Sequence, residues 1–183
     1  MILFCVKIKL IFGTDTGNTD YVIETYLLDL LDSFEVEVTE VPDLNPDDWQ
    51  SNEFFILGIP TWYDGVLQSD WEDYFDDFKK IDFTGKTVAL FGLGDQIGYS
   101  EYFVDGIGIL GKVIIENGGK IIGHWPSEEY DFDESKGLVS DDYFYGLAID
   151  EDNEDDLIQY RFENWVEQLK KEIPVAVNEN LNS

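Results

Sequence analysis

Leu10-Ile11-Phe12-Gly13-Thr14-Asp15-Thr16-Gly17-Asn18-Thr19 is the stretch whose reading decides the fold. An apolar run feeds a loop of threonines and glycines, and apolar residues recur at helical spacing from Tyr21 to Leu31, which predicts strand, loop and helix. Backbone N–H groups at a helix start have no internal partners, so a phosphate is well received there, and the threonine hydroxyls converge on the same point. Gly-x-x-x-x-Gly-Lys-Ser/Thr is absent and no Lys lies between Lys9 and Lys79, which excludes a P-loop. The loop would cradle a phosphate without a cation.

Outward from that loop the chain alternates strands and helices. Glu35-Val36-Glu37-Val38-Thr39-Glu40-Val41 has period two and predicts a strand at or near an edge. Pro42 to Gln50 reads as loop. Phe54 to Ile59 is a continuous apolar run, the signature of a strand covered on both faces, with Pro60 expected to end it. Trp71, Tyr74, Phe75 and Phe78 predict an amphipathic helix from about Ser69 to Lys80, and Thr87 to Phe91 the next buried strand. Tyr102 to Asn117 reads as a helix closed by Gly118-Gly119, and Lys120-Ile121-Ile122-Gly123 opens a fifth strand. The pattern dissolves between His124 and Phe144 and returns at Tyr145 to Ile149, so an insertion interrupts the fifth strand. Leu157 to Ile173 predicts a final amphipathic helix closed by Pro174. The expected organisation is a single domain over residues 1–173 followed by a disordered tail over 174–183.

This alternation implies an α/β fold, a three-layer doubly wound parallel sheet of five strands with right-handed crossovers. Ligands in such sheets sit beyond the carboxyl ends of the strands, where Thr14, Thr61 and Gly92 would lie.

Composition narrows the function. Of 183 residues, 11 are basic and 40 acidic, a formal net charge of −29; nucleic acid and anionic membrane surfaces are disfavoured, and a charged partner should be basic. One Cys, Cys5, and one His, His124, leave no internal disulfide and no Cys/His zinc set. The opening Met1 to Val6 is interrupted by Lys7 and Lys9 and reads as a buried strand rather than a signal segment. No apolar stretch approaches the roughly 20 residues a membrane helix needs. A reducing, cytoplasmic setting is expected.

Two further loops carry large aromatics at their apices. Pro60-Thr61-Trp62-Tyr63-Asp64-Gly65 follows the third strand and Gly92-Leu93-Gly94-Asp95-Gln96-Ile97-Gly98-Tyr99 the fourth. Exposed rings at such places are poorly explained unless they cover something flat. The glycine spacing is Gly-x-Gly-x-x-x-Gly and follows the fourth strand, which is not the dinucleotide fingerprint. Thr-x-Thr-Gly-x-Thr, Pro-Thr-Trp, Gly-Asp-Gln-Ile-Gly-Tyr and the insertion Tyr130-Asp131-Phe132-Asp133-Glu134-Ser135-Lys136 together resemble the long-chain flavodoxins over about Lys7 to Leu169.

That resemblance implies strand order 2-1-3-4-5 and non-covalently bound FMN. The phosphate would be held by Thr14, Asp15, Thr16, Gly17, Asn18 and Thr19, the ribityl chain approached by Thr61 and Asp150, and the isoalloxazine stacked by Trp62 and Tyr99. Asp95 and the backbone of Gly94 would read the pyrimidine edge, with Pro60, Leu93 and Tyr102 completing the set. In the family a peptide in the loop after the tryptophan rotates on one-electron reduction; it maps to Tyr63–Asp64, beside Gly65. Asp15 inside the phosphate loop, and the Tyr63-Asp64 pair itself, depart from the usual pattern. The implied function is a monomeric low-potential one-electron carrier with no substrate of its own. It would stand in for ferredoxin and meet basic faces of a flavodoxin–NADP reductase, photosystem I or other ferredoxin-dependent enzymes.

Other chemistries fit less well. His124 has no Gly-x-Ser-x-Gly elbow to serve, and Gly58-Ile59-Pro60 stands where a receiver domain would carry its phospho-acceptor Asp. The acidic runs from Asp131 and from Asp150 lack Gly at the sixth and Glu at the twelfth position of a calcium loop. The alternative kept is an acidic, non-redox interaction module on the same fold.

Overall fold

The computed structural model describes residues 6–181; Cys5 and most of the opening run read as strand lie outside the described residues. Strand β1 (Lys7–Phe12) leads through the loop into helix α1 (Asn18–Val22). That helix continues as a π turn over Ile23–Leu27 and a 3₁₀ turn over Leu28–Leu31. Then follow β2 (Glu35–Glu40), α2 (Pro46–Ser51), β3 (Phe54–Trp62), β4 (Val66–Leu67), α3 (Ser69–Phe78) and β5 (Thr87–Leu93). The last third holds α4 (Asp105–Glu116), β6 (Lys120–Ile122), β7 (Trp125–Pro126), β8 (Leu138–Ser140), β9 (Tyr143–Phe144), β10 (Leu147–Ile149) and α5 (Ile158–Leu181).

The main sheet is parallel in the order β2-β1-β3-β5, and β5 carries two successive partners on its far side. Its first half, Thr87 to Ala89, pairs with β6, and its second half, Phe91 to Leu93, pairs with β10. The fifth strand is therefore split as the sequence pattern implied, and the excursion between the halves forms an antiparallel sheet of β7, β9 and β8. Successive strand residues face opposite ways. Phe91 meets Phe162 and Trp165 of α5, while a Cβ on Gly92 would stand 2.8 Å from Ile107 of α4, so helices cover both faces.

Four elements differ from the sequence reading. Pro42 to Gln50 is not all loop: Pro46 opens α2 at the position where a missing N–H costs nothing, and Asp48 Oδ2 accepts from the Asn45 N–H at 2.8 Å. Pro60 does not end β3, which runs on to Trp62. Gly58 turns its carbonyl to β1, where it accepts from Gly13 N–H, so residue 60 turns the same way beyond the point where β1 has left, and no ladder bond is lost. Pro174 does not close the last helix, which continues to Leu181. Ile173 and Ala176 are buried on either side of the proline, and that apolar anchoring outweighs the missing helical bond. Helix α4 also starts later than its apolar pattern, because Val104 has a positive φ of 47°.

Candidate functional site

The loops after β1 and β3 leave in opposite directions, since β2 lies beyond β1 and β5 beyond β3. A cavity opens at this switch point, at the carboxyl ends of the strands. The first loop contributes Thr14, Asp15, Thr16, Asn18 and Thr19 to its lining, and the second Pro60, Thr61, Trp62 and Tyr63. Leu93, Gly94, Asp95 and Tyr99 come from the loop after β5, and Glu151 and Asp152 from the one after β10. Four loops distant in sequence thus meet around one space.

Gly17, with φ 84°, turns the first loop into α1, and its N–H donates to Thr14 Oγ1 at 2.9 Å. Thr19 is fully buried, and its hydroxyl has no hydrogen-bond partner among the described residues. A buried hydroxyl in that condition is costly unless a ligand oxygen completes it. Asp15 lines the cavity, but Oδ1 accepts from Gln68 Nε2 at 2.9 Å and from the Ser69 hydroxyl. Burial alone would raise its pKa; the bonds from Ser69 and Gln68 outweigh that and hold the carboxyl below the usual range. Gln68 reaches this place because Gly13 has no side chain: a Cβ there would stand 1.9 Å from its Oε1.

The second loop is a hairpin in which Trp62 pairs with Val66. Its tip has positive φ at Tyr63 (41°) and Gly65 (78°), the first unusual for a bulky residue. Gly65 packs so close to Asp105 that a Cβ would lie 2.5 Å from Oδ2. Asp105 is itself held by the N–H of Lys136 at 2.7 Å and its ammonium at 3.1 Å. Trp62 is half-buried, its Nε1 without a partner among the described residues. Tyr63 and Tyr99 are 65% and 44% exposed, too open for core residues of their size. Thr61 Oγ1 accepts from Gly106 N–H at 2.9 Å.

In the third loop Asp95 Oδ1 accepts from the N–H groups of Ile97 (3.0 Å) and Gly98 (2.6 Å) and from Asn153 Nδ2 (2.9 Å). Burial would raise its pKa, but the bonds from Gly98, Asn153 and Ile97 pull it below the usual range. The carboxylate folds its own loop.

Gly17, Asp64, Gly65, Tyr102 and Asp150 stand outside the lining. Asp150 is fully buried, its carboxylate accepting from Gln96 N–H at 3.1 Å and Asn153 N–H at 3.1 Å. Its two successors take the place at the cavity. Burial raises the pKa of Glu151, with smaller contributions from Asp152 and Asp150, and burial raises that of Asp152, helped by the charges of Asp95 and Asp150. Sequence reasoning missed both, although they continue the same acidic run past the last strand.

Sheet order and loop placement define a doubly wound α/β protein with its cavity at the β1/β3 switch and a threonine-rich loop on one wall. A family model described as Flavodoxin matches residues 10–165. The chain is 44% identical over 166 residues to a flavodoxin of Klebsiella pneumoniae, covering 91% of this chain and 94% of that protein. It is 47% identical over 170 residues to a flavodoxin of Nostoc sp., covering 91% and 96%. Among solved structures, the flavodoxin of Fusobacterium nucleatum bound to flavin mononucleotide superposes with a TM-score of 0.85 at 30% identity, covering 91% of this chain and 98% of that one. The chain belongs to the flavodoxin family.

Proposed function

We propose that the chain is a one-electron carrier that holds FMN non-covalently and has no substrate of its own. The observation that carries this reading is the buried hydroxyl of Thr19, without a partner among the described residues, in a loop without a cation that lines one cavity with two exposed aromatic loops. Thr14, Thr16, Asn18 and Thr19 would hold the phosphate together with the first-turn N–H groups of α1, while Trp62 and Tyr99 would flank the ring. Gly94 and Asp95 would meet the pyrimidine edge, and Thr61 with the loop from Asp150 the ribityl chain. FMN, when bound, supplies the electron chemistry; the protein binds it, excludes water from its faces and tunes it. The Tyr63–Asp64 peptide at the hairpin tip, between the positive φ values of Tyr63 and Gly65, is the segment poised to change its orientation.

The carrier would work at low potential between ferredoxin-type partners in the cytoplasm, as a monomer, substituting for ferredoxin at the basic face of a flavodoxin–NADP reductase, photosystem I or another ferredoxin-dependent enzyme. The formal charge of −29 supports this by steering basic partners. Among the described residues no helix is long and apolar enough to cross a membrane.

The purified protein is expected to be yellow. Titration of the apo-protein should show FMN binding at least about a hundredfold tighter than riboflavin, since several charge-assisted hydrogen bonds of roughly 1.5–3 kcal/mol each depend on the phosphate. Equal affinities would remove the phosphate loop from the account.

A further inference from the structure

Arg161 is the chain's single arginine and lies in α5, 1% exposed. Its Nη2 is 2.6 Å from Glu154 Oε2, and its guanidinium lies 4.3 Å from the centre of the Tyr130 ring. Nε and Nη1 have no hydrogen-bond partner among the described residues, so Glu154 is the carboxylate that compensates this buried charge. The same Glu154 oxygen accepts from Gln96 Nε2 at 2.9 Å. Gln96 is 3% exposed; its N–H donates to Asp150 Oδ2 at 3.1 Å, and its Oε1 accepts from Asp131 N–H at 2.6 Å. The backbone N–H and both side-chain polar atoms of Gln96 are thus committed to the insertion or to the loop after β10. Gln96 directly follows Asp95, which lines the cavity.

A buried guanidinium is a poor source of stability compared with an apolar side chain of similar volume. What it adds is direction. A charged partner fixes which way Glu154 points, and one carboxylate oxygen shared by Arg161 and Gln96 transmits that orientation to the loop. We propose that Arg161 is a positioning residue: without touching the cavity, it holds the loop from Gly94 to Tyr99 at the cavity wall through Glu154 and Gln96. The ligand named in the test rests on the FMN reading above; the placement of the loop does not.

The test compares the parent with Arg161→Met/Glu154→Gln, which removes both charges together and leaves no buried ion unpaired. Amide hydrogen exchange is read in the apo-protein, and FMN and riboflavin are titrated separately. Expected is a roughly tenfold or greater loss of protection at the Gln96 and Asp131 amides, with the β1, β3 and β5 amides unchanged, as for one lost hydrogen bond. Both flavins should weaken by the same factor, about tenfold, because the loop faces the ring rather than the phosphate. Unchanged protection at Gln96 and Asp131 overturns the proposal whatever the flavins do. Lost protection with unaltered affinity for both flavins overturns it too, since the loop's position then does not matter to the ligand. If the parent binds neither flavin, the FMN reading falls, and the exchange result alone decides whether Arg161 positions the loop. Should the double variant not fold, Arg161→Lys, which keeps a positive charge for Glu154 but loses the planar fork, is expected to give a smaller loss of protection at the same two amides, and unchanged protection there overturns the proposal.

Discussion

Gln68 Nε2 donates to Asp15 Oδ1 across 2.9 Å, a bond that joins residues 53 positions apart and fastens the loop after β1 to the start of α3. Gln68 is fully buried and also donates to Asp70 Oδ2 at 2.7 Å, so it stands between two carboxylates that would otherwise repel. Gln68→Leu should let the loop spread and weaken FMN by about three- to tenfold, the worth of one lost hydrogen bond to a charged group after partial relaxation. Riboflavin, which lacks the phosphate, should bind as before. Flavin fluorescence titrations check this; equal weakening of both flavins would assign the bond to the ring side of the site.

Thr19 gives a prediction in which stability and binding move in opposite directions. Its buried hydroxyl has no partner among the described residues, so Thr19→Val should leave the apo-protein as stable or slightly more so. The same change should weaken FMN by about tenfold or more, because a hydrogen bond to a charged phosphate is worth roughly 1.5–3 kcal/mol. Urea unfolding of the apo-protein and FMN titration are the paired measurements. A loss of apo stability with FMN affinity intact would mean that Thr19 serves packing alone.

Much of this was legible in the sequence, for reasons particular residues make plain. The apolar run of β3 and the returning pattern at Tyr145 to Ile149 report burial directly, so the sheet and its split fifth strand could be read. Pro60 misled because a proline's cost depends on whether a neighbouring strand faces it, which only the register reveals. Pro174 misled likewise, since burial of Ala176 beyond it is a tertiary fact. The short helix at Pro46 was readable from Asn45 and Asp48 as a capping pair. At the site, loop membership was legible but side-chain direction was not: Asp150 points into the protein to hold Gln96, and Glu151 and Asp152 turn to the cavity.

Trp62 and Tyr99 sit on separate loops of one cavity, and a ring held by both should gain roughly 0.5–1.5 kcal/mol from each beyond the area it buries. Trp62→Ala and Tyr99→Ala should therefore each weaken FMN and riboflavin alike, by about threefold to more than tenfold. Tyr99, at 44% exposure, has little structural role to lose, so its variant should keep the parent's stability. If Tyr99→Ala binds both flavins as the parent does, the ring is covered on one side only.

The last prediction concerns acid stability and lies away from the cavity. Lys9 is 2% exposed in the middle of β1, its ammonium 2.7 Å from Glu37 Oε1 on the edge strand and 2.9 Å from Asp48 Oδ1 on α2, while Lys7 reaches Glu37 Oε2 at 2.9 Å. Hydrogen bonds from Lys9 and then Lys7 pull the Glu37 carboxyl from 4.5 down to about 2. Burial by itself would lower the pKa of Lys9, but its bonds to Glu37 and Asp48 more than offset this and raise it above 10.5. The signs follow from linkage. Glu37 has a depressed folded pKa, so its contribution is complete above about pH 4.5 and is lost as pH falls toward 2; the Lys9 contribution is present below 10.5 and lost above it. Because the Glu37 side chain is half exposed, solvent screening reduces the stabilisation from what the shift alone implies to roughly 1 kcal/mol. Glu37→Gln is therefore expected to be about 1 kcal/mol less stable than the parent at pH 7, with the gap closing as pH approaches 2. Lys9→Met should cost more, roughly 3 kcal/mol at pH 7, since it strands Asp48 beside an apolar side chain. Urea unfolding of the apo-protein at pH 7, 4 and 2.5 measures both. A Glu37→Gln gap that is the same at all three pH values would show that the pair contributes by packing and not by charge.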